Sequence, residues 1–258
     1  MLVDARLQKL DLSAEAIRHW ANRRCGVGFD QMIVLDDAPH SDYLASYRFY
    51  NADGSEAEQC GNGQRCIGRY LWESGWAKRR RFQVTGPGGP VAITVHSASD
   101  VEVALPAPTC RLMALNQDSR DVRAEWAEVS VGNPHRVFWV NSQAELDDCH
   151  LAAQAAAVQA DYPRGVNLEV VHMEAADHLR IRIYERGVGE TQACGSGAAA
   201  AAVATVERQL AMRSGNGHKP IRVDMPGGRL LVDYQRDSGR LTLRGPAAHV
   251  YQGRVFYP

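Results

Sequence analysis

Two cysteines carry the chemistry that this sequence suggests. Cys194 sits in the run Tyr184-Glu185-Arg186-Gly187-Val188-Gly189-Glu190-Thr191-Gln192-Ala193-Cys194-Gly195-Ser196-Gly197. Before it lies the strand-like Ile181-Arg182-Ile183-Tyr184, and after it come small residues of high helix propensity, Ala198 to Ala202. That order places Cys194 at or just before a helix N-terminus, where free backbone N–H groups and the macrodipole favour a thiolate. Alone, it reads equally well as a buried structural cysteine above a packing helix. The chain, however, contains the construction twice.

An offset of 134 residues lays Arg182 on Arg48, Tyr184 on Tyr50, Glu190 on Glu56, Cys194 on Cys60, Gly195 on Gly61 and Gly197 on Gly63. Farther along, Pro226-Gly227-Gly228 repeats Pro87-Gly88-Gly89. The period is domain-sized, so the chain reads as two homologous α+β halves from an internal duplication. Two equivalent halves packed about a pseudo-two-fold would set two equivalent cysteines across a cleft. Paired thiols on opposite sides of one substrate are what a cofactor-free racemase or epimerase requires. One thiolate removes the α-proton, and the opposing thiol delivers a proton to the other face. Helix N-termini at both cysteines can bind the substrate carboxylate and stabilise charge that develops there. They are expected to lower each thiol pKa from about 8.5 into the range of roughly 3.5 to 7.5. If both ionised there would be no acid, so the pair is expected to share one proton.

The elements that position these residues follow from local signals. Ser13 caps a helix carrying Ile17, Trp20 and Ala21, and strands follow at 32–35 and 47–50. Cys60 opens a helix through about Trp72 that stops near Gly75, ahead of hairpin strands at 82–85, 91–95 and 101–105. The second half opens near Val129 with a strand at 137–140, a single helix from about Gln143 to Gln159, and a strand led by Gly165-Val166-Asn167. The Cys194 helix then runs to about Leu210. Residues 1–106 form an N-terminal half carrying Cys60, and 107–249 a C-terminal half carrying Cys194. The apolar segment 250–258 reads as a closing strand that packs back on the first half.

Composition excludes several functions. The 258 residues are 45% hydrophobic and 23% charged with a net charge of −1, which offers no global attraction to nucleic acid or a membrane surface. No apolar run of transmembrane length and no signal-peptide pattern is present. Six scattered cysteines in a chain too large to need staples indicate a reduced, cytoplasmic protein. Cys60 and Cys66 do not have zinc-knuckle spacing, so no metal is expected. The only lysines are Lys9, Lys78 and Lys219, each in a polar or turn context. None suits a buried Schiff base, which argues against pyridoxal phosphate and for racemisation without a cofactor.

At this point the chain resembles the diaminopimelate epimerase family. The resemblance rests on Gly28-Phe29-Asp30-Gln31, Phe49-Tyr50-Asn51-Ala52-Asp53-Gly54-Ser55-Glu56, Cys60-Gly61-Asn62-Gly63, Gly132-Asn133-Pro134-His135 and the whole run from Tyr184 to Gly197. It implies two pseudo-symmetric domains, each a mostly antiparallel sheet curved around a central helix. It also implies a homodimer that interconverts LL- and meso-diaminopimelate without a cofactor, in lysine and peptidoglycan precursor synthesis. By position, Cys60 and Cys194 resemble the acid–base pair, and Gly61, Asn62, Gly195 and Ser196 the helix starts that hold the reacting carboxylate. Gln31, Asn51, Asn133, Asn167, Glu185 and Arg186 match substrate-contacting positions, with His135 as a supporting histidine near the thiols. A diamino dicarboxylate calls for an Arg, a Glu and amides, which agrees.

Two departures bear on this. The family opens with a strand and a Gly-Asn-Asp-Phe motif whose Asn contacts substrate, and Met1-Leu2-Val3-Asp4 aligns directly after it. An N-terminally shortened, inactive form is therefore an alternative. Thr85-Gly86-Pro87-Gly88-Gly89 also replaces the family's usual small-residue Asn-Gly turn. The other alternative is a proline or hydroxyproline racemase on the same fold. Those resemble a Cys-Gly-His-Gly pattern where this chain has Cys60-Gly61-Asn62-Gly63.

Overall fold

A run of four buried apolar residues, Met32-Ile33-Val34-Leu35, lacks the polar alternation of a half-exposed strand, and it needs cover on both faces. The computed structural model, which describes residues 1–8, 10–57, 60–114, 125–211 and 219–255, supplies that cover. It divides into two compact units, Met1–Val103 with the chain from Pro246 onward, and Ala104–Gly245.

The first unit contains β1 (Leu2–Asp4), α1 (Ala14–Ala21), β2 (Gln31–Asp36), β3 (Ser46–Asn51), β4 (Glu56–Ala57), α2 (Gly61–Glu73), β5 (Arg81–Gly86), β6 (Gly89–Ser97) and β7 (Asp100–Leu105). The strands are ordered β1-β2-β3-β5-β6-β7, with β4 pairing β3. Pairs β1/β2 and β3/β5 are parallel and the others antiparallel. Met32, Val34 and Tyr50 pack with Ile17, Trp20 and Ala21 of α1 on one face. On the other face α2 comes so close that a Cβ on Gly63 would lie 2.6 Å from the Phe49 ring, and one on Gly68 2.7 Å from Ile93 and Val101. Ser13 Oγ caps α1 by accepting from Ala16 N–H at 3.2 Å, and that helix ends at Ala21.

The second unit repeats this order. It contains β8 (Thr109–Ala114), β9 (Glu125–Ser130), β10 (Pro134–Val140), α3 (Gln143–Asp147), α4 (Leu151–Gln159), β11 (Asn167–Ala175), β12 (His178–Glu185), β13 (Gly189–Thr191), α5 (Gly195–Ala211), β14 (Ile221–Met225), β15 (Gly228–Gln235) and β16 (Arg240–Pro246). Its strand order is β8-β9-β10-β11-β12-β14-β15-β16, with β13 on β12. The run from β10 to β16 therefore matches β1 to β7, including parallel pairs β10/β11 and β12/β14. The duplication reaches the register, since Tyr50 opposes Glu56 as Tyr184 opposes Glu190. Helix α5 packs against strands from β8 round to β15, so its Ala198–Ala204 stretch is fully buried. This is the α+β architecture expected, a sheet around a central helix in the second unit.

Three local readings are corrected. The antiparallel pair β8/β9 precedes the expected opening at Val129. It is registered from Thr109–Ser130 to Ala114–Glu125, a pairing between separate segments that no local pattern announces. The expected helix 143–159 is two helices, because Arg182 Nη1 donates to the carbonyls of Leu146, Asp147 and Cys149 at 2.9, 2.9 and 3.0 Å. A half-buried guanidinium thereby satisfies helix-end carbonyls that otherwise demand continuation. Residues 251–255 form no strand, and Val250 and Tyr251 are exposed; residues 256–258 lie outside the described residues.

Leu71 of α2 is fully buried. Leu71→Ala should destabilise the protein by about 2–5 kcal/mol in urea unfolding, through lost transfer energy plus a residual cavity. A loss below about 1 kcal/mol would show that α2 is not seated as described.

Candidate active site

Each candidate thiol stands at the start of a helix. Cys60 is the N-cap of α2 in extended conformation, and its Sγ accepts from Gly63 N–H at 3.3 Å. Helical bonding begins with Gln64 N–H donating to Cys60 C=O at 2.9 Å, which leaves the amides of Gly61 and Asn62 without helical acceptors. Cys194 occupies the same place on α5, where Ala198 N–H donates to its carbonyl at 3.0 Å. It is buried, and its Sγ lies 3.3 Å from Ser196 Oγ.

In the first unit Gln31 Nε2 donates to Asn51 Oδ1 at 3.2 Å, because both lie at the same end of the β2/β3 ladder. Asn51 Nδ2 in turn donates to Ser55 Oγ. Asn62 Oδ1 accepts from Arg65 Nη2 at 2.8 Å. In the second unit Asn133 Nδ2 donates to Ser196 Oγ at 3.4 Å, and His135 Nε2 meets Asn133 Oδ1 at 3.0 Å. Asn133, His135, Cys194, Gly195 and Ser196 thus form one cluster. Asn167 and Glu185 end neighbouring strands. Asn167 Oδ1 accepts from Arg186 N–H at 2.9 Å, and Glu185 Oε1 accepts from Thr191 Oγ1 at 2.6 Å. Arg186 reaches Arg164 C=O at 3.0 Å. Its stem crosses Gly165, where a Cβ would lie 2.6 Å away and where φ is +73°, so only glycine suits that turn.

The family model for diaminopimelate epimerase matches residues 1–109 and 128–250. The chain belongs to the diaminopimelate epimerase family. It is 33% identical to a diaminopimelate epimerase of Pseudomonas paraeruginosa and 35% identical to one of Aromatoleum aromaticum, in each case over 99% of this chain and 94% of the relative. Among solved structures it resembles a PhzF-family phenazine biosynthesis protein of Bacillus anthracis, with TM-score 0.74 and 16% identity over 99% of this chain and 92% of that one. That last likeness concerns the fold alone. Diaminopimelate epimerases are isomerases, and the chain is an enzyme of that class. Among the described residues no helix is long and apolar enough to cross a membrane. None of their His, Cys, Asp and Glu side chains group in threes to hold a metal ion. Lys78 and Lys219 are exposed, and Lys9 lies outside the described residues.

Two buried charged residues in contact with the candidate residues escaped sequence reading. Arg65 is buried and donates to Gly61 C=O, Asn62 Oδ1 and Pro246 C=O. Its spacing of four and three residues from Gly61 and Asn62 was the available signal. Glu169 is fully buried and its Oε1 lies 2.7 Å from His135 Nδ1. A carboxylate inside the apolar run Leu168-Glu169-Val170-Val171 was its signal.

The expected lowering of the thiol pKa values is overturned. Burial pushes the Cys60 thiol up, against the opposing pull of the Gly63 and Asn62 amides. Burial, with added repulsion from Glu185, raises Cys194 to about 12, against hydrogen bonds from Ser196 and Gly197. Desolvation of a thiolate outweighs the helix-start amides here. A folded-state pKa above the unfolded value gives stability that is complete below about pH 8.5 and is lost as pH rises toward 12. Between pH 7 and pH 10 the wild-type chain should therefore lose about 2 kcal/mol more stability than Cys194→Ser in urea titrations. Equal losses would show that this thiol is not held protonated.

Proposed function

We propose that the chain interconverts LL- and meso-diaminopimelate with Cys60 and Cys194 as its acid–base pair, in lysine and peptidoglycan precursor synthesis. The observation that carries this reading is a thiol at the start of the corresponding helix in each of two repeated units, in a chain of this family. Inversion at a carbon requires proton removal from one face and delivery to the other, and a single group cannot do both without letting go of the substrate. One sulfur, as thiolate, takes the α-proton as the C–H electrons move toward the carboxylate. The other sulfur's S–H bond then breaks to form the new C–H bond. The pair emerges with acid and base exchanged, ready for the reverse stereoisomer.

Burial suits the acid, since a raised thiol pKa keeps the proton in place until a carbanion demands it. The substrate's ammonium brings the positive charge that favours the single thiolate required. Amides of Gly61, Asn62, Gly195 and Ser196 are the donors for the reacting carboxylate, where negative charge grows in the transition state. Arg186 and Glu185 suit the distal carboxylate and ammonium, and Gln31, Asn51, Asn133 and Asn167 accept or donate as either end requires. His135 supports the Cys194 side. The proton transfers themselves use only the two thiols. Scattered cysteines support cytoplasmic residence, and the family resemblance supports a homodimer.

In D2O the wild-type chain should exchange the α-hydrogen of LL-diaminopimelate for deuterium while forming the meso isomer, and should leave proline untouched. Cys60→Ser and Cys194→Ser should each fall by about 100-fold or more. Wild-type rates in either variant would sink the two-thiol mechanism. Exchange on proline alone would favour the racemase reading.

A further inference from the structure

Glu169 on β11 has a place that the acid–base scheme does not use. Its side chain is wholly buried beneath the start of α5, where a Cβ on Gly197 would lie 2.8 Å from its Oε1. The absence of a side chain at residue 197 is what lets the helix start settle on this carboxyl group. From Oε1 a continuous chain leads to the sulfur: His135 Nδ1 at 2.7 Å, His135 Nε2 to Asn133 Oδ1 at 3.0 Å, Asn133 Nδ2 to Ser196 Oγ at 3.4 Å, and Ser196 Oγ to Cys194 Sγ at 3.3 Å. The second carboxyl oxygen, Oε2, is buried and meets no hydrogen-bond partner among the described residues.

Such a chain has only two polarities. In one, Glu169 is an anion accepting from Nδ1–H, the bare Nε2 accepts from the Asn133 amide, and Asn133 Oδ1 faces Ser196. The Ser196 proton is then drawn toward Asn133 and away from sulfur. This arrangement also leaves a negative charge in an apolar setting with one oxygen unpaired, which is costly. In the other, one proton is held between Oε1 and Nδ1, Nε2–H donates to Asn133 Oδ1, and the Asn133 amide donates to Ser196 Oγ. The Ser196 hydroxyl proton is then free to point at Cys194. Burial disfavours the carboxylate, and the nearby Glu185 carboxylate on β12 disfavours a second anion, while His135 pulls the other way. The neutral pair matches this environment.

We propose that Glu169 is a positioning residue that shares a proton with His135 and so fixes the direction of the chain through Asn133 and Ser196, making Ser196 a hydrogen-bond donor to the Cys194 thiolate. The catalytic consequence rests on Cys194 being an acid–base group. The hydrogen-bond polarity does not, and the test reads polarity without turnover.

Peptide-resolved iodoacetamide labelling of the full chain, followed across pH 7 to 11, reports the thiolate at each cysteine separately. Glu169→Gln can donate its amide N–H to Nδ1 and keep the same polarity, so the Cys194 profile should stay within about threefold of wild type. Glu169→Leu removes the partner of Nδ1, and Cys194 labelling should slow about tenfold at a given pH. Cys60, in the other unit, should label as in wild type in both variants. A tenfold change of Cys194 labelling in Glu169→Gln, in either direction, would overturn the proposal; acceleration in particular would reveal that an anion had been removed. Unchanged or faster labelling in Glu169→Leu would overturn it too. If Glu169→Leu does not fold, Glu169→Gln decides alone.

Discussion

The constraint from which the second unit follows is the burial of α5. Its first turns carry Gly195, Gly197 and alanines to Ala204, all buried, with strands packed on several sides. A helix enclosed in this way needs small residues all round, not one apolar stripe. Enclosure removes water from the helix start, so the amides there keep their capacity to bind an anion. The same enclosure places Cys194, Ser196, His135 and Glu169 in a setting where every hydrogen bond must be accounted for.

Two effects compete at each thiol. Free amides and the macrodipole favour a thiolate, while desolvation favours the thiol. Both effects arise from one geometric fact, the sunken helix start, and desolvation is the larger. That balance suits a proton carrier in an epimerase better than a permanently ionised nucleophile would, because an acid must still hold its proton when the carbanion forms.

The duplicated halves keep what positions the thiols and differ elsewhere. Strands β1 to β7 and β10 to β16 share order, parallel pairs and register, while the second unit adds β8 and β9 and replaces α1 with the short α3 and α4. Arg48 and Arg182 show how a repeated residue acquires new partners. Arg48 pairs with Asp36 at 3.0 Å, whereas Arg182 pairs with Glu190 at 2.8 Å and also caps the α3 carbonyls. The offset in the sequence exposed the equivalence but not the change of partner.

Much of the fold and the candidate cluster could be read from residues alone, because the signals were local. Ser13 before an apolar periodicity, Gly75 after one, and a cysteine between a strand and an alanine run each act within a few residues. The repeat extended those local readings to the second thiol and to the order of the elements. Sequence alone thus determined the duplication, the family and the helix-start position of Cys60 and Cys194. Tertiary structure alone decided that burial raises the thiols, that Arg182 splits a helix, and that Glu169, 25 residues before Cys194, meets it through His135, Asn133 and Ser196. Desolvation and buried hydrogen bonds depend on which distant segments exclude water from a site, and no spacing along the chain encodes that exclusion directly.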